Sequence, residues 1–503
     1  MKYLLTAAAM KQGDEKTIQK YQMPSMVLME RAALQTIRVM EEKHLDFSHT
    51  LIVCGTGNNG GDGLAIARML YLKGHRVTTV LLGNEAHCTE ETKTQKMILE
   101  NYGVSVLNTL EKGEYSVIID AMFGIGLSRA IEGMYRDQIV SLNKMSGVKV
   151  AVDIPSGISA TTGQVLGVAF LADMTVTFAC EKMGMVLYPG CCYTGEVSVV
   201  DIGIPSAIFQ AEMDVAYTYE KTDIGRLLPQ RKVQSHKGTY GKVLMIVGSE
   251  GMAGAAFLSA KAAYSVGAGL VKIYTPKENN YILQQLLPEA IVVGYEEFCM
   301  AQLQELLDWA DVMAIGSGMG TGETAESILC YVITHMKKTC VVDADGLNIL
   351  AKHLEMLPTV NQFILTPHVK ELARLLALET ESVVSRRMEL VTQFVEKYPV
   401  VCVSKDARTF VKKAEERMFI NTTGNSSMAK AGSGDVLTGM ITGLSAQGMQ
   451  PYEAGTLGVY LHGCAGDEAK REKGSYSVSA QDLISAVGTV IKEHEEVTKF
   501  ENI

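Results

Sequence analysis

Long apolar runs are missing from this sequence. None approaches the roughly 20 residues that a membrane-spanning helix needs. The one suspicious start, MKYLLTAAAM, is cut short by KQGDEKTIQKY before it has the length of a secretory leader. Cations are in the minority, with 46 Lys and Arg against 56 Asp and Glu, a formal net charge of −10 and no basic stripe. Binding to nucleic acid needs clustered cations, so that class is excluded. With neither span nor leader, the chain is expected to be soluble and cytoplasmic, with no membrane partner. Cysteines at metal or redox spacing are also absent. Ten are scattered with no CxxC pair, and the one cluster is the adjacent Cys191 and Cys192. Free thiols in a reducing compartment are expected.

What is present is an ordinary globular balance, 47% hydrophobic and 20% charged, over 503 residues. That length predicts two domains. After an opening strand or helix lead-in, the first half alternates apolar runs (TLIVCG, HRVTTVLLG, YSVIIDAMFG, VKVAVDIPSG, DMTVTFA) with helical patterns, one of them over Ile131–Met145. Continuous apolar strands between helices predict a parallel sheet covered on both faces. GEVSVVDIGIP closes the block. A polar stretch from Tyr217 to Gly241 lacks a sustained period, and the domain boundary is expected near Lys221, giving domains 1–221 and 222–503. The second half repeats the grammar, opening on KVLMIVGSEGMAGAAFLSAKAA and ending in helices from Gly434 onward. The halves share architecture but no sequence period.

The loop CGTGNNGGDGLAIARML joins a strand to a helix, the usual place for a phosphate cradle. Yet Asn58 and Asn59 come first and a carboxylate, Asp62, follows. Three more acids end apolar strands: Asp120 in YSVIID, Asp153 in VKVAVD and Asp343 in TCVVD. In open parallel sheets, ligands bind beyond the carboxyl ends of the strands. One such acid is often only a helix N-cap, but three beside small-residue turns point to sites. In the second half, GSGD (Gly432–Asp435) opens a long helix. Its glycines let backbone N–H groups meet an anion, and Asp435 stands where it could take a proton from a hydroxyl attacking a phosphate. Small-molecule kinases of the ribokinase-like class place an acid this way. SKDART adds Lys405 and Arg408 after a strand, and TPHVKE places His368 after another.

These motifs together carry a resemblance. The first half is similar to the NAD(P)H-hydrate epimerase family through MPSMVLMERAA, GTGNNGGDGLAIAR, DAMFGIGLSR, VDIPSGI, ADMTVTFACEKMGMVLYPG and VSVVDIGIP. The second half resembles the ADP-dependent NAD(P)H-hydrate dehydratase family through SHKGTYGKVLMIVGS, GAGLVKIYTP, IGSGMG, VVDADGLNIL, LTPHVKELARLL, VSKDARTFV and AGSGDVLTGMITGL. Their order is that of fused enzymes that repair hydrated nicotinamide nucleotides. The resemblance implies an α/β fold, with an N-terminal Rossmann-like three-layer domain and a C-terminal ribokinase-like α/β domain. It implies hydrated NADH or NADPH and ADP as ligands, and a homo-oligomer.

By the same resemblance, Asn59, Asp120 and Ser156 would hold a potassium ion, which wants hard oxygen ligands. Asn58, Asn59, Gly60, Gly61, Asp62, Gly124, Ile125, Gly126, Leu127, Ser128, Arg129, Ala130 and Asp153 would line the epimerase substrate, with Asp153 moving the proton. An acid is then tolerable in the loop, because the site holds a cation and a hydroxylated ring as well as phosphates. In the second half Ala255, Gly318, His368 and Asp435 would contact the hydrated dinucleotide. Lys405, Asp406, Ala407, Arg408, Thr409 and Gly434 would contact the AMP part of the nucleotide, with Mg2+ as a further cofactor. The family often has Pro-Gly after the histidine, where this chain has Val369 and Lys370. Where the family often reads GNPGMATGG, this chain reads GNSSMAKAG, with Ser426, Lys430 and Ala431 altered. Two rival readings are a vitamin or sugar kinase behind a Rossmann-like regulatory module, and a non-catalytic dinucleotide sensor. The first does not explain NNGGDG together with VDIPSG, and the second has no need of Asp153 and Asp435.

Overall fold

The computed structural model describes residues 1–110, 113–210, 215–359 and 362–501. The chain divides into two compact units, Lys2–Ala216 and Tyr217–Ile503, with Met1 grouped with the second. The division falls just before Lys221 because Tyr217 and Tyr219 are committed to the second unit. Their rings lie 5.3 and 4.8 Å from that of Phe419, and Tyr219 lies 5.7 Å from Tyr460. A helix over Lys221–Leu227 follows at once.

The first unit is built on a seven-stranded parallel sheet. Across the sheet the strands run Val106–Leu107, Val77–Leu81, Thr50–Cys54, Val117–Ala121, Val148–Val152, Met174–Phe178 and Glu196–Val200. The central strands Thr50–Cys54 and Val117–Ala121 are buried throughout, as their uninterrupted apolar sequences require. Chain order reverses between these two, so the crevice for a ligand opens at their carboxyl ends. The helical pattern at Ile131–Met145 forms a helix over Gly133–Lys144. It starts late because the Ile131 N–H is spent on the Leu166 carbonyl and Gly133 turns with φ +57°.

The second unit carries parallel strands in the order Ile291–Tyr295, Leu270–Pro276, Lys242–Ile246, Val312–Ile315, Cys340–Val342, Phe363–Leu365 and Val400–Ser404. Phe410–Lys412 and Phe419–Ile420 then extend the sheet antiparallel. Here the reversal lies at Lys242–Ile246, flanked by Leu270–Pro276 and Val312–Ile315. The helices Ser433–Ala446, Pro451–Ser477 (broken at Gly474) and Ala480–Glu501 end the chain. Ser433–Ala446 is apolar nearly all round and buried from Val436 to Ala446. It fits against Ala253–Ser265 because Gly439 carries no side chain: a Cβ there would lie 2.1 Å from the Ser259 carbonyl oxygen. Among the described residues no helix is long and apolar enough to cross a membrane.

Each unit carries a run of parallel strands and buried apolar residues of its own. Residues 217–503 expressed alone are therefore expected to give a soluble protein with a single cooperative urea transition. A broad, non-cooperative transition would show that the unit depends on the rest of the chain.

Candidate active sites

In the first unit three strand ends converge. The turn Gly55–Gly57 leads into the helix Asn58–Leu72, whose first residues are the NNGGD stretch. Two close approaches fix this turn. A Cβ on Gly60 would lie 1.8 Å from the Gly55 carbonyl oxygen, and one on Gly55 would lie 2.0 Å from that of Met122. Only glycine fits either position. Asn59 is buried and packs against Gly124, whose Cβ would sit 3.3 Å from that of Asn59. Asn58 is exposed at the mouth, as are Gly126, Ser128, Arg129 and Ala130, while Ile125 and Leu127 turn into apolar clusters.

Asp120 and Ser156 are both fully buried. The Ser156 hydroxyl donates to Asp120 Oδ1 at 2.6 Å and the Ser156 N–H to Oδ2 at 2.8 Å. The Met122 N–H donates to Oδ1 at 3.2 Å. All of these donors are neutral, and burial pushes the Asp120 carboxyl up to about 6. The Asn59 amide nitrogen is buried without a hydrogen-bond partner.

Asp153 takes a left-handed backbone, φ +67°, where its strand ends. A non-glycine residue pays strain for that conformation, as residues at functional sites often do. Its Oδ1 accepts from the ammonium of Lys182, which is fully buried, and from the Phe178 N–H at 3.1 Å. Lys182 also donates to Thr177 Oγ1 at 2.8 Å and to the Phe178 carbonyl at 3.1 Å. Around this pair lie two more acids. Burial and then the charge of Asp153 push Asp14 up to about 7. Burial, Asp153 and Asp14 raise Asp62 well above the usual carboxylate range. The site thus holds one lysine among three carboxyl groups, and burial raises two of them, Asp14 and Asp62, from the usual carboxylate range.

Lys182 and Asp14 were not among the residues singled out from sequence. Lys182 sits inside ACEKMGMV, where a lone cation after Glu181 in an otherwise apolar stretch was the available signal. Asp14 lies on the inward face of the helix Ala7–Lys20, between buried Met10 and Thr17 at helical spacing.

In the second unit the helix Ser433–Ala446 starts after Gly432, which turns with φ +90° and provides no side-chain cap. Asp435 stands in its first turn, half-buried, and burial with the Asp343 charge pushes it up to about 6. Gly434 faces Lys405: a Cβ there would lie 3.4 Å from its Nζ. His368 caps the helix Val369–Leu376, its Nδ1 accepting from the N–H groups of Lys370 and Glu371 at 3.1 and 3.2 Å. Partial desolvation and the nearby Lys405 hold His368 below its usual value. Glu371 is buried in the same place and pushed up to about 7. Gly318 and Ala255 meet, since a Cβ on Gly318 would come within 2.8 Å of that of Ala255.

The Lys405–Thr409 loop is clamped from outside by Arg387, which sequence reasoning also missed. Arg387 pairs with Asp406 at 3.0 Å and donates to the Arg408 carbonyl at 2.6 Å. The Asp406 carboxylate also accepts from the Ala407 N–H at 2.8 Å, so this acid shapes its own loop. Thr409 Oγ1 donates to the Asp406 carbonyl at 3.3 Å. Of the altered residues, Lys430 turns its ammonium onto the Tyr476 carbonyl at 2.5 Å, while Ala431 is exposed.

The carboxyls at the first site set a pH dependence. Asp14 holds its proton up to about 7, against 3.8 for an ordinary aspartate, so the native unit binds more protons than the unfolded chain between those values. Its stability must therefore fall as pH rises through that window. Urea unfolding at pH 5 and pH 8 is expected to show this loss in wild type and a shallower slope in Asp14→Asn. An unchanged slope would show that Asp14 is not the proton-holding group.

Known family models match both units. A family model described as YjeF-related protein N-terminus matches residues 25–184, and one described as NAD(P)H-hydrate dehydratase matches residues 243–488. The bifunctional NAD(P)H-hydrate repair enzyme Nnr of Moorella thermoacetica is 36% identical over 516 residues, spanning 98% of this chain and 97% of its own. Its namesake in Escherichia coli K12 is 33% identical over 477 residues, spanning 93% and 91%. A solved ribokinase-like superfamily protein of Enterococcus faecalis is 31% identical, with a TM-score of 0.51, over 55% of this chain and 95% of that one. Two strand-end acid sites, the motifs that build them and relatives matched along nearly the whole length place this chain in the family of bifunctional NAD(P)H-hydrate repair enzymes.

Proposed function

We infer that the chain repairs hydrated nicotinamide cofactors. The first unit interconverts the R and S forms of hydrated NADH and NADPH, and the second dehydrates the S form with ADP, giving AMP and phosphate. The observation that carries this reading is the acid at each site whose carboxyl stays near neutrality beside a lysine-held partner acid.

In the hydrate, C6 carries a hydroxyl and is bonded to the ring nitrogen. Epimerisation needs that hydroxyl to leave with a proton as water, and water to return from the other face with loss of a proton. The cluster of Asp14, Asp62 and Asp153 supplies donors and acceptors for both transfers, and Asp14, pushed up to about 7, is the kind of group that does this best at neutral pH. Asp153 is the proposed proton handler, oriented by Lys182.

In the second unit the C6 hydroxyl oxygen attacks the β-phosphorus of ADP. The bond to the AMP oxygen breaks, and the hydroxyl proton passes to Asp435. Phosphate is then a good leaving group. The C6–O bond breaks as a proton leaves C5, and the reduced ring is restored. Lys405, Gly434 and the helix N-terminus meet the phosphate, and the clamped Lys405–Thr409 loop meets the AMP part.

For potassium, the donor set fits a hard cation: a buried carboxylate answered only by neutral donors, with the Asn59 amide close by. The Ser156 hydroxyl already serves Asp120 and the Phe123 N–H, so its part is to orient Asp120. When bound, the ion would offset the buried negative charge. Mg2+ would arrive on the phosphates of the nucleotide. Among the described residues no three His, Cys, Asp or Glu side chains form a metal cage, and Mg2+ commonly keeps waters and uses substrate phosphates instead.

Mixing the protein with hydrated NADH and ADP is expected to restore NADH absorbance. A stable phosphorylated product would favour a kinase, and binding without turnover a sensor. Asp435→Asn keeps the size but loses the base, so dehydration should fall roughly 10²–10⁴-fold with epimerisation intact. Dehydration at the wild-type rate would make Asp435 structural. Asp120→Ala should abolish K+ binding and slow epimerisation while dehydration of the S epimer continues. Undiminished K+ binding would exclude Asp120 as a ligand.

A further inference from the structure

One strand-end acid of the second unit takes no bond-making or proton-transfer role in the steps above. Asp343, which ends TCVVD, is 1% exposed. It occupies the N-cap position of the helix Ala344–Leu350, yet its side chain makes no capping hydrogen bond. Both oxygens turn elsewhere. Oδ1 accepts from Lys405 Nζ at 2.6 Å and from Thr366 Oγ1 at 2.7 Å, and Oδ2 accepts from Thr438 Oγ1 at 2.8 Å. Thr438 lies one turn beyond Asp435 on the same helix, and Thr366 lies two residues before His368. A Cβ on Gly434 would sit 3.4 Å from Lys405 Nζ and 3.8 Å from Asp343 Oδ2, so the pair stands against the turn that meets the phosphate. The next residue, Ala344, is held at φ +48°, a strained conformation for a residue with a Cβ. An aspartate that forgoes its cap beside a strained neighbour is not explained by helix stability.

A lysine ammonium is a point charge on a flexible stem with no geometry of its own. Lys405 has three acids acting on it, Asp343, Glu371 and Asp435. If its Nζ settled on Asp435, the base would be tied up and the phosphate would lose its cation. We propose that Asp343 is a positioning residue for phosphoryl transfer, acting through Lys405: it tethers Nζ beside the Gly432–Asp435 turn, keeps it off Asp435, and does not touch the substrate. Thr366 and Thr438 hold the carboxylate so that one oxygen always faces Lys405. This rests on the dehydratase reading of the site.

The test uses the full chain, the S form of hydrated NADH and saturating ADP. Asp343→Asn keeps the shape but loses the charge that tethers Lys405. It is expected to lower kcat roughly 10²-fold, the order lost when a reacting group is misplaced, with KM for the hydrate changed less than about threefold. In a Lys405→Met background the same substitution should cost less than about threefold, because its route is already cut. Equal costs in the two backgrounds overturn the proposal, as does Asp343→Asn at wild-type kcat. If Asp343→Asn does not fold, Thr438→Val decides, since it removes only the Oδ2 hydrogen bond. It should lower kcat roughly tenfold, about the worth of one hydrogen bond to a charged group, and have little effect in the Lys405→Met background. Wild-type kcat for Thr438→Val, or equal losses in both backgrounds, overturns the proposal. Failure of the wild-type chain to regenerate NADH would instead sink the dehydratase reading, and would appear before any variant is compared.

Discussion

A carboxylate taken out of water at the end of a parallel strand has to be answered, because the low-dielectric interior penalises an unpaired charge heavily. This protein does so three times, in different ways. Asp120 is met by neutral donors from Ser156 and Met122. Asp153 is met by the ammonium of Lys182, and Asp343 by that of Lys405 together with two threonine hydroxyls. Where a lysine is committed to one acid, burial and then that acid's charge raise the neighbouring acids above the usual carboxylate range. That is how Asp14 and Asp62 arise beside Asp153, and Glu371 and Asp435 beside Asp343. Acid–base chemistry at neutral pH needs such unequal neighbours, and both units obtain them from the same arrangement.

The sheets supply the geometry that makes this possible. In each unit the strand order reverses at a buried central strand, so loops from adjacent strands diverge and leave a crevice. The acids stand at or just past the ends of apolar strands, where the backbone hydrogen bonding of the sheet gives out.

Much of this was legible in the sequence. Continuous apolar runs separated by helical patterns announced parallel sheets covered on both faces, and the strands fall where those runs are. The acids at strand ends were visible because each breaks an apolar run beside a small-residue turn. Asp14 and Lys182 were not, because their importance comes from what surrounds them in space. Asp14 reaches its site from a helix over a hundred residues earlier than Asp153, and Lys182 looks like any surface lysine until its burial is known. Arg387 is hidden likewise, since its partners Asp406 and Arg408 lie on a loop about twenty residues further on. The short antiparallel strands Phe410–Lys412 and Phe419–Ile420 share the apolar character of the strand before them, so periodicity alone did not separate them.

The stacked backbone at the first site has a further consequence. Gly60 rests on the Gly55 carbonyl, and Gly55 rests on that of Met122, with no side chain between. The spacing between the two central strand ends is therefore set by peptide groups in contact, which no substitution elsewhere can lengthen or shorten. Gly126, Ser128, Arg129 and Ala130 stand exposed instead, and a Cβ added at Gly126 would meet nothing within 4 Å. The first unit thus sets a gauge built of backbone, at Gly55 and Gly60, beside an open margin at Gly126.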